Sequence, residues 1–277
     1  MSPRLLILVL QLLLLPSILA QERKKGKEKN KEPSQDVKME CDNATIGGAP
    51  TDITAVPWQA AITVRDRDKC VGAIYSMNYI LTAAKCVNGY KVEAIKVQVG
   101  TTSRNANGTV VSVCDVIIHT DFHPKHIENN LALLKLCNPL QTSDKIKEIP
   151  VAKHVPADQA VVTASGWASV RWMKLLGEAC LPELALELHK SEVRVYNTNK
   201  CTEVWKRWYK VDNNRFKDLV MCTGKAGKGA CSFDMGAPLV FSNQLVGILS
   251  RCSCSERPDI YSRLPTHIKW LEDNSKK

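Results

Sequence analysis

The sequence predicts an all-β domain closed by one short C-terminal helix. Between Cys41 and about His267, short apolar runs are separated by turn residues roughly every ten positions, the spacing of a barrel or sandwich. Several of those runs alternate apolar with polar residues, as half-buried strands do. No period of about 20 to 50 residues recurs.

In chain order, Ala60–Val64 comes first, followed by Ile95–Val99 with Lys96 and Gln98 outward. Thr109–Ile118, Leu131–Leu136 and Val161–Thr163 also favour strands, being rich in β-branched and apolar side chains. Glu192–Tyr196 alternates strictly, and Leu239–Ser250 reads as two strands around Ser242-Asn243. Thr266–Glu272 carries Ile268 and Leu271 at helical spacing and reads as a terminal amphipathic helix.

The chain has 277 residues, 44% hydrophobic and 24% charged, enough for a sizeable core and unlike a disordered chain. Lys and Arg number 38 against 28 Asp and Glu, a net charge of +10 that permits anionic partners without demanding nucleic acid. Arg4 precedes an apolar run, Leu5–Leu15, that ends through Pro16 at the small residue Ala20. That run falls short of the roughly 20 residues a membrane-spanning helix needs and describes a signal peptide over residues 1–20. The chain is therefore expected to be secreted, with no membrane span. Residues 21–40 are nearly free of apolar side chains and read as a basic, flexible tail. All 11 cysteines lie beyond the signal, and disulfides fit them better than a metal site, so no metal or other cofactor is expected. Asn43 and Asn107 open glycosylation sequons.

Three segments carry the chemistry: Tyr79-Ile80-Leu81-Thr82-Ala83-Ala84-Lys85-Cys86, Asn129-Asn130-Leu131-Ala132-Leu133-Leu134 and Cys231-Ser232-Phe233-Asp234-Met235-Gly236-Ala237-Pro238-Leu239. With Ile46-Gly47-Gly48, Pro57-Trp58-Gln59, Gly166-Trp167, Met221-Cys222 and the closing Ile268-Lys269-Trp270-Leu271, they resemble the chymotrypsin/trypsin-like serine proteases over residues 41–277. The resemblance implies two packed six-stranded antiparallel β-barrels with a cleft between them. It also implies that the catalytic histidine, aspartate and serine are replaced by Lys85, Asn130 and Met235.

Each replacement removes a function. An ammonium has no lone pair with which to take a proton. A carboxamide lacks the charge that steadies an imidazolium, and a thioether forms no hydrolysable acyl intermediate. Losing such a triad lowers turnover on the order of 10⁶-fold, and the residual of about 10³ to 10⁴ rests on the oxyanion hole. There the resemblance implies that Phe233 replaces a glycine. A Ser–Lys dyad is the rival catalytic reading, and Met235 removes its obvious hydroxyl, leaving only Ser232 nearby.

The resemblance also places Ala44-Thr45 at the activation bond, without the preceding Arg or Lys, so the chain is expected to stay single and zymogen-like, although Asp234 is kept. At the specificity pocket it places Gly229 in the basal position, Asp259 on the wall, and Arg251 and Cys252 along the substrate backbone. It implies the disulfides Cys70–Cys86, Cys201–Cys222 and Cys231–Cys254. Cys114–Cys137 is expected because they flank neighbouring strands of the family, while Cys41, Cys180 and Cys252 stay unassigned.

Trp205-Lys206-Arg207-Trp208-Tyr209-Lys210 interleaves rings with cations. It reads either as a binding loop or as an amphipathic turn that buries its tryptophans. The sequence therefore points to a secreted, non-catalytic homologue that binds an extracellular protein, with active proteases, their substrates or their inhibitors as candidate partners. The compact form resembles insect members, and the setting expected is immune or reproductive fluid. A sulfated-glycan module is the second reading and a residual endopeptidase the third.

Overall fold

The computed structural model describes residues 48–104, 108–167, 171–174, 180–183, 185–206, 213–224, 235–252 and 257–276. Six strands, β2 (Gln59–Val64), β3 (Arg67–Ser76), β4 (Tyr79–Thr82), β5 (Ile95–Val99), β6 (Thr109–Ile118) and β7 (Ala132–Leu136), close into a barrel in the order β2-β3-β4-β7-β6-β5. Closure comes from β2 against β5, with Ala60 opposite Val99 and Val64 opposite Ile95. Closing the sheet removes its free edges.

A second ring forms from β8 (Val161–Gly166), β11 (His189–Tyr196), β12 (Val220–Thr223), β13 (Pro238–Phe241), β14 (Gln244–Arg251) and β15 (Asp259–Arg263). The pairing of β8 with both β11 and β13 closes it, and β1 (Ala49–Pro50) adds to β11. Strands β9 (Arg171–Lys174) and β10 (Cys180–Glu183) pair antiparallel as a separate two-stranded sheet. The two six-stranded barrels expected by resemblance are therefore present.

Local chemistry explains the junctions. Ser242 and Asn243 both adopt positive φ, 48° and 57°, and join β13 to β14 with Phe241 opposite Gln244. That is the two-residue hairpin geometry in which short polar residues are tolerated. Strand β2 is buried along nearly its whole length, because its two faces meet different apolar clusters. Ala60 and Ile62 join the first barrel's core beside Leu81, Val97 and Leu133, whereas Ala61, with Val71 of β3, packs against Val195, Leu239 and Tyr261 of the second.

Among the described residues, four helices complete the fold: α1 (Ala84–Val87), α2 (Thr198–Trp205), α3 (Asn213–Leu219) and α4 (Ile268–Ser275). The terminal helix begins at Ile268 because Leu264–His267 forms a 3₁₀ turn with Pro265 in its first positions, so the expected start at Thr266 is corrected by two residues. Among the described residues, no helix is long and apolar enough to cross a membrane.

The segment read as a binding loop is corrected in part. Asn197 caps α2 by accepting from the Lys200 backbone amide at 3.1 Å, and the helix carries Trp205 into the interior. Trp205 is 1% exposed and its Nε1–H donates to the Pro258 carbonyl at 2.9 Å. It packs with Ile127, Cys201, Phe216, Val220 and Ile260, so it is core and not contact surface. Lys206 ends the helix in an ion pair with Glu203, while Arg207, Trp208, Tyr209 and Lys210 lie outside the described residues.

Candidate functional site

Lys85, Asn130 and Met235 converge where the barrels meet. Lys85 sits in α1, the single helical turn that follows β4; Asn130 lies just before β7; Met235 lies just before β13. The Lys85 backbone N–H donates to Asn130 Oδ1 at 2.9 Å. Asn130 Nδ2 donates to Ser250 Oγ at 3.1 Å, with the Ser250 carbonyl at 3.4 Å, and stands 4.0 Å from Met235 Sδ. Ser250 Oγ donates in turn to the Ile127 carbonyl at 2.6 Å. Asn130 and Ser250 are fully buried, and this short chain of hydrogen bonds leaves the amide satisfied on both sides.

Sequence reasoning missed Ser250. Its signal is a hydroxyl that ends the apolar run Leu245–Leu249, where a buried polar group must have a partner. Its hydroxyl accepts from Asn130 and donates to the Ile127 carbonyl, so its proton is committed there and not to a Ser–Lys pair. Ser232, the other hydroxyl weighed for that role, lies outside the described residues.

Gly236 fixes the approach of Met235. Its φ is +88°, its N–H donates to the Leu249 carbonyl at 2.9 Å, and a Cβ there would stand 2.1 Å from the Val71 carbonyl. Only glycine fits both the conformation and the space. The Val71 N–H donates to the Met235 carbonyl at 3.0 Å, which ties the loop to β3 of the other barrel.

Electrostatically the site is cationic. Partial burial holds the Lys85 ammonium below its ordinary pKa, the positive charge of Arg251 adds to that, and Glu128 opposes it. Lys85 Nζ makes no hydrogen bond or ion pair with any described residue. The arrangement therefore offers a donor-only cation, a committed amide and a thioether at the seam.

Among the positions expected at the specificity pocket, Asp259 is 1% exposed on β15 opposite Thr223, and Arg251 ends β14 half-buried. Cys252 packs beside the second barrel's core. Cys70–Cys86, Cys114–Cys137 and Cys201–Cys222 are bonded, with Cα separations of 6.0, 4.9 and 6.4 Å. Asn43, Asn107, Gly229, Phe233 and the Cys231–Cys254 pair lie outside the described residues. No group of three or more His, Cys, Asp or Glu suited to a metal occurs among the described residues.

Comparison with known proteins converges on one family. The family model described as Trypsin matches residues 45–271. A trypsin of Sarcophaga bullata is 30% identical over 241 residues, 86% of this chain and 91% of that protein. Trypsin alpha of Drosophila melanogaster is 28% identical over 235 residues, 84% of this chain and 88% of that protein. Among solved structures, the scabies mite inactivated protease paralogue S-D1 superposes with a TM-score of 0.72 at 28% identity, covering 82% of this chain and 96% of its own. Mouse neuropsin, a serine protease of the limbic system, follows at a TM-score of 0.70 and 25% identity, covering 82% and 98%. With both barrels closed and these matches running through nearly the whole of them, the chain belongs to the trypsin family of serine proteases.

Proposed function

We propose that this chain is a secreted, non-catalytic member of the trypsin family that acts by binding a protein, as a regulator, cofactor or decoy in an extracellular protease network. One observation carries the reading. At the point where the three catalytic positions converge, Asn130 bonds to the Lys85 backbone and to Ser250, and the side chains alongside are an ammonium and a thioether. Nothing in that set takes a proton at neutral pH and nothing attacks a carbonyl to leave a hydrolysable ester. The likeness to an inactivated protease paralogue is consistent with it. A signal-like leader and the disulfides support an oxidising, extracellular setting.

The test uses the purified full chain with an alkyl fluorophosphonate probe and broad peptide libraries, with trypsin as the positive control. The expected result is no labelling and no hydrolysis. Steady hydrolysis that disappears on Lys85→Ala overturns the reading.

A further inference from the structure

We propose that the Cys114–Cys137 disulfide is a site of thiol exchange, opened by a dithiol reductant to loosen a strap that the first barrel lays across the second. The inference goes beyond the binding role above and does not depend on it.

The strap is the hairpin of β6 and β7. Its strands pair from Val113 opposite Leu136 to Ile118 opposite Ala132, and residues 119–131 connect them. That connection fastens on the second barrel. Ile127 is buried with Trp205, Phe216 and Ile260, and its carbonyl accepts from Ser250 Oγ at 2.6 Å. Asn130 Nδ2 donates to the same Ser250 oxygen at 3.1 Å, and Asn129 Oδ1 stands 3.1 Å from His267 Nε2. Asn130 therefore rides on the far end of a hairpin whose base is closed by Cys114 and Cys137, 23 positions apart.

At that base the covalent bond stands where the ladder is interrupted. Strand β6 pairs with β5 as far as Ser112 opposite Lys96, and with β7 from Val113 onward. The register slips between Val113 and Asp115, so Cys114 has no opposite residue, and Cys137 lies one position beyond β7. The backbone is held there by the Cys137 N–H, which donates to the Ser112 carbonyl at 3.0 Å.

Exposure singles out this bond among the three described. Cys114 and Cys137 are both exposed, whereas both members of Cys70–Cys86 and of Cys201–Cys222 are buried. Exchange requires a thiolate to reach a sulfur, so access decides which bond reacts. One thiolate of the reductant attacks the Sγ of either cysteine. The Sγ–Sγ bond breaks, and the leaving sulfur keeps the electron pair and takes a proton. The second thiolate of the reductant then attacks the mixed disulfide and frees the other cysteine. Cys114 and Cys137 end as thiols and the reductant ends as a disulfide, two electrons having passed between them. Without the crosslink the opened states of the hairpin gain entropy and become more populated, and the hold on Ile127 and Asn130 weakens with them.

The test adds dithiothreitol in graded amounts to the purified full chain under native conditions. Freed thiols are trapped with N-ethylmaleimide and located by peptide mass spectrometry. Cys114 and Cys137 should be trapped about tenfold faster than Cys70, Cys86, Cys201 or Cys222. Amide hydrogen exchange over residues 119–131, compared before and after opening, should speed up about tenfold, while β12 and β15 keep their protection. The double variant Cys114→Ser with Cys137→Ser should exchange as the opened parent does. If that variant misfolds, the parent chain still decides. Equal trapping of the three described bonds overturns the proposal, as does unchanged exchange over 119–131 after opening. So does protection lost across both barrels at once, which would make the bond a general staple. None of these outcomes involves probe labelling or peptide hydrolysis, so the non-catalytic reading stands or falls separately.

Discussion

At Asn130 a carboxamide matches what its surroundings offer, an N–H from Lys85 on one side and two oxygens of Ser250 on the other. A carboxylate would satisfy the first and oppose the second, since Ser250 Oγ already donates to the Ile127 carbonyl. Asn130→Asp is therefore expected to lose about 1–3 kcal/mol of stability. The shift of the urea midpoint reads this directly, and an unchanged or raised midpoint contradicts it. Gly236→Ala is the harsher change, because it combines an unfavourable φ with backbone overlap against Val71. Its expected outcome is little folded protein in the secreted fraction, measured beside Ala237→Ser as a tolerated neighbour.

At the scale of elements, the helix that carries Trp205 separates what the sequence displays from what it conceals. Alternation exposed β5 and β11, and the Ser242-Asn243 turn exposed the β13–β14 hairpin, because each pattern is local. Strand β4 was legible only as a motif, since a strand buried on both faces has no alternation to show. The rings and cations after Cys201 were ambiguous for a different reason. Whether a tryptophan faces solvent depends on a remote carbonyl, here that of Pro258, which no local pattern reveals. The three motifs whose residues Lys85, Asn130 and Met235 come together were legible in chain order, whereas Ser250, which bonds to Asn130, was not, because its partners are 120 and 123 positions away. Trp205→Ala should cost about 3–5 kcal/mol, as emptying a packed core site does. Lys206→Ala should stay within about 0.5 kcal/mol, as an exposed change does. Thermal or urea unfolding of the two variants distinguishes core from surface. Reversed magnitudes would return Trp205 to the contact surface.

Across the whole molecule, stability depends on pH through two buried histidines beside the seam. His119 packs against the rings of His267 and Trp270, with centroids 5.2 and 4.8 Å away. Its Nδ1 accepts from the Asp121 backbone. Burial foremost, then the neighbouring His267, hold His119 down to about 4 from an ordinary 6.5, against the opposing pull of Asp121. Burial also lowers His267, against its hydrogen bond to the Arg263 carbonyl. The unfolded chain therefore binds these protons first as the pH falls. Stability from this pair is complete above about 6.5 and drains away as the pH falls toward 4. Melting temperatures should fall over that window, and His119→Gln should flatten the fall. Equal slopes for parent and variant would remove His119 from the account.

Beside the apolar packing of Ala61 and Val71 into the second barrel's core, three polar contacts join the barrels: Asn130 with Ser250, the Val71 amide with the Met235 carbonyl, and Ser165 Oγ with Gln59 Oε1 at 2.6 Å. Each of the three described disulfides closes within one barrel. Prising the halves apart thus breaks no covalent bond that the structure describes. The hydrogen bonds around Asn130 and Met235 therefore share with that apolar packing the work of keeping the two lobes in register.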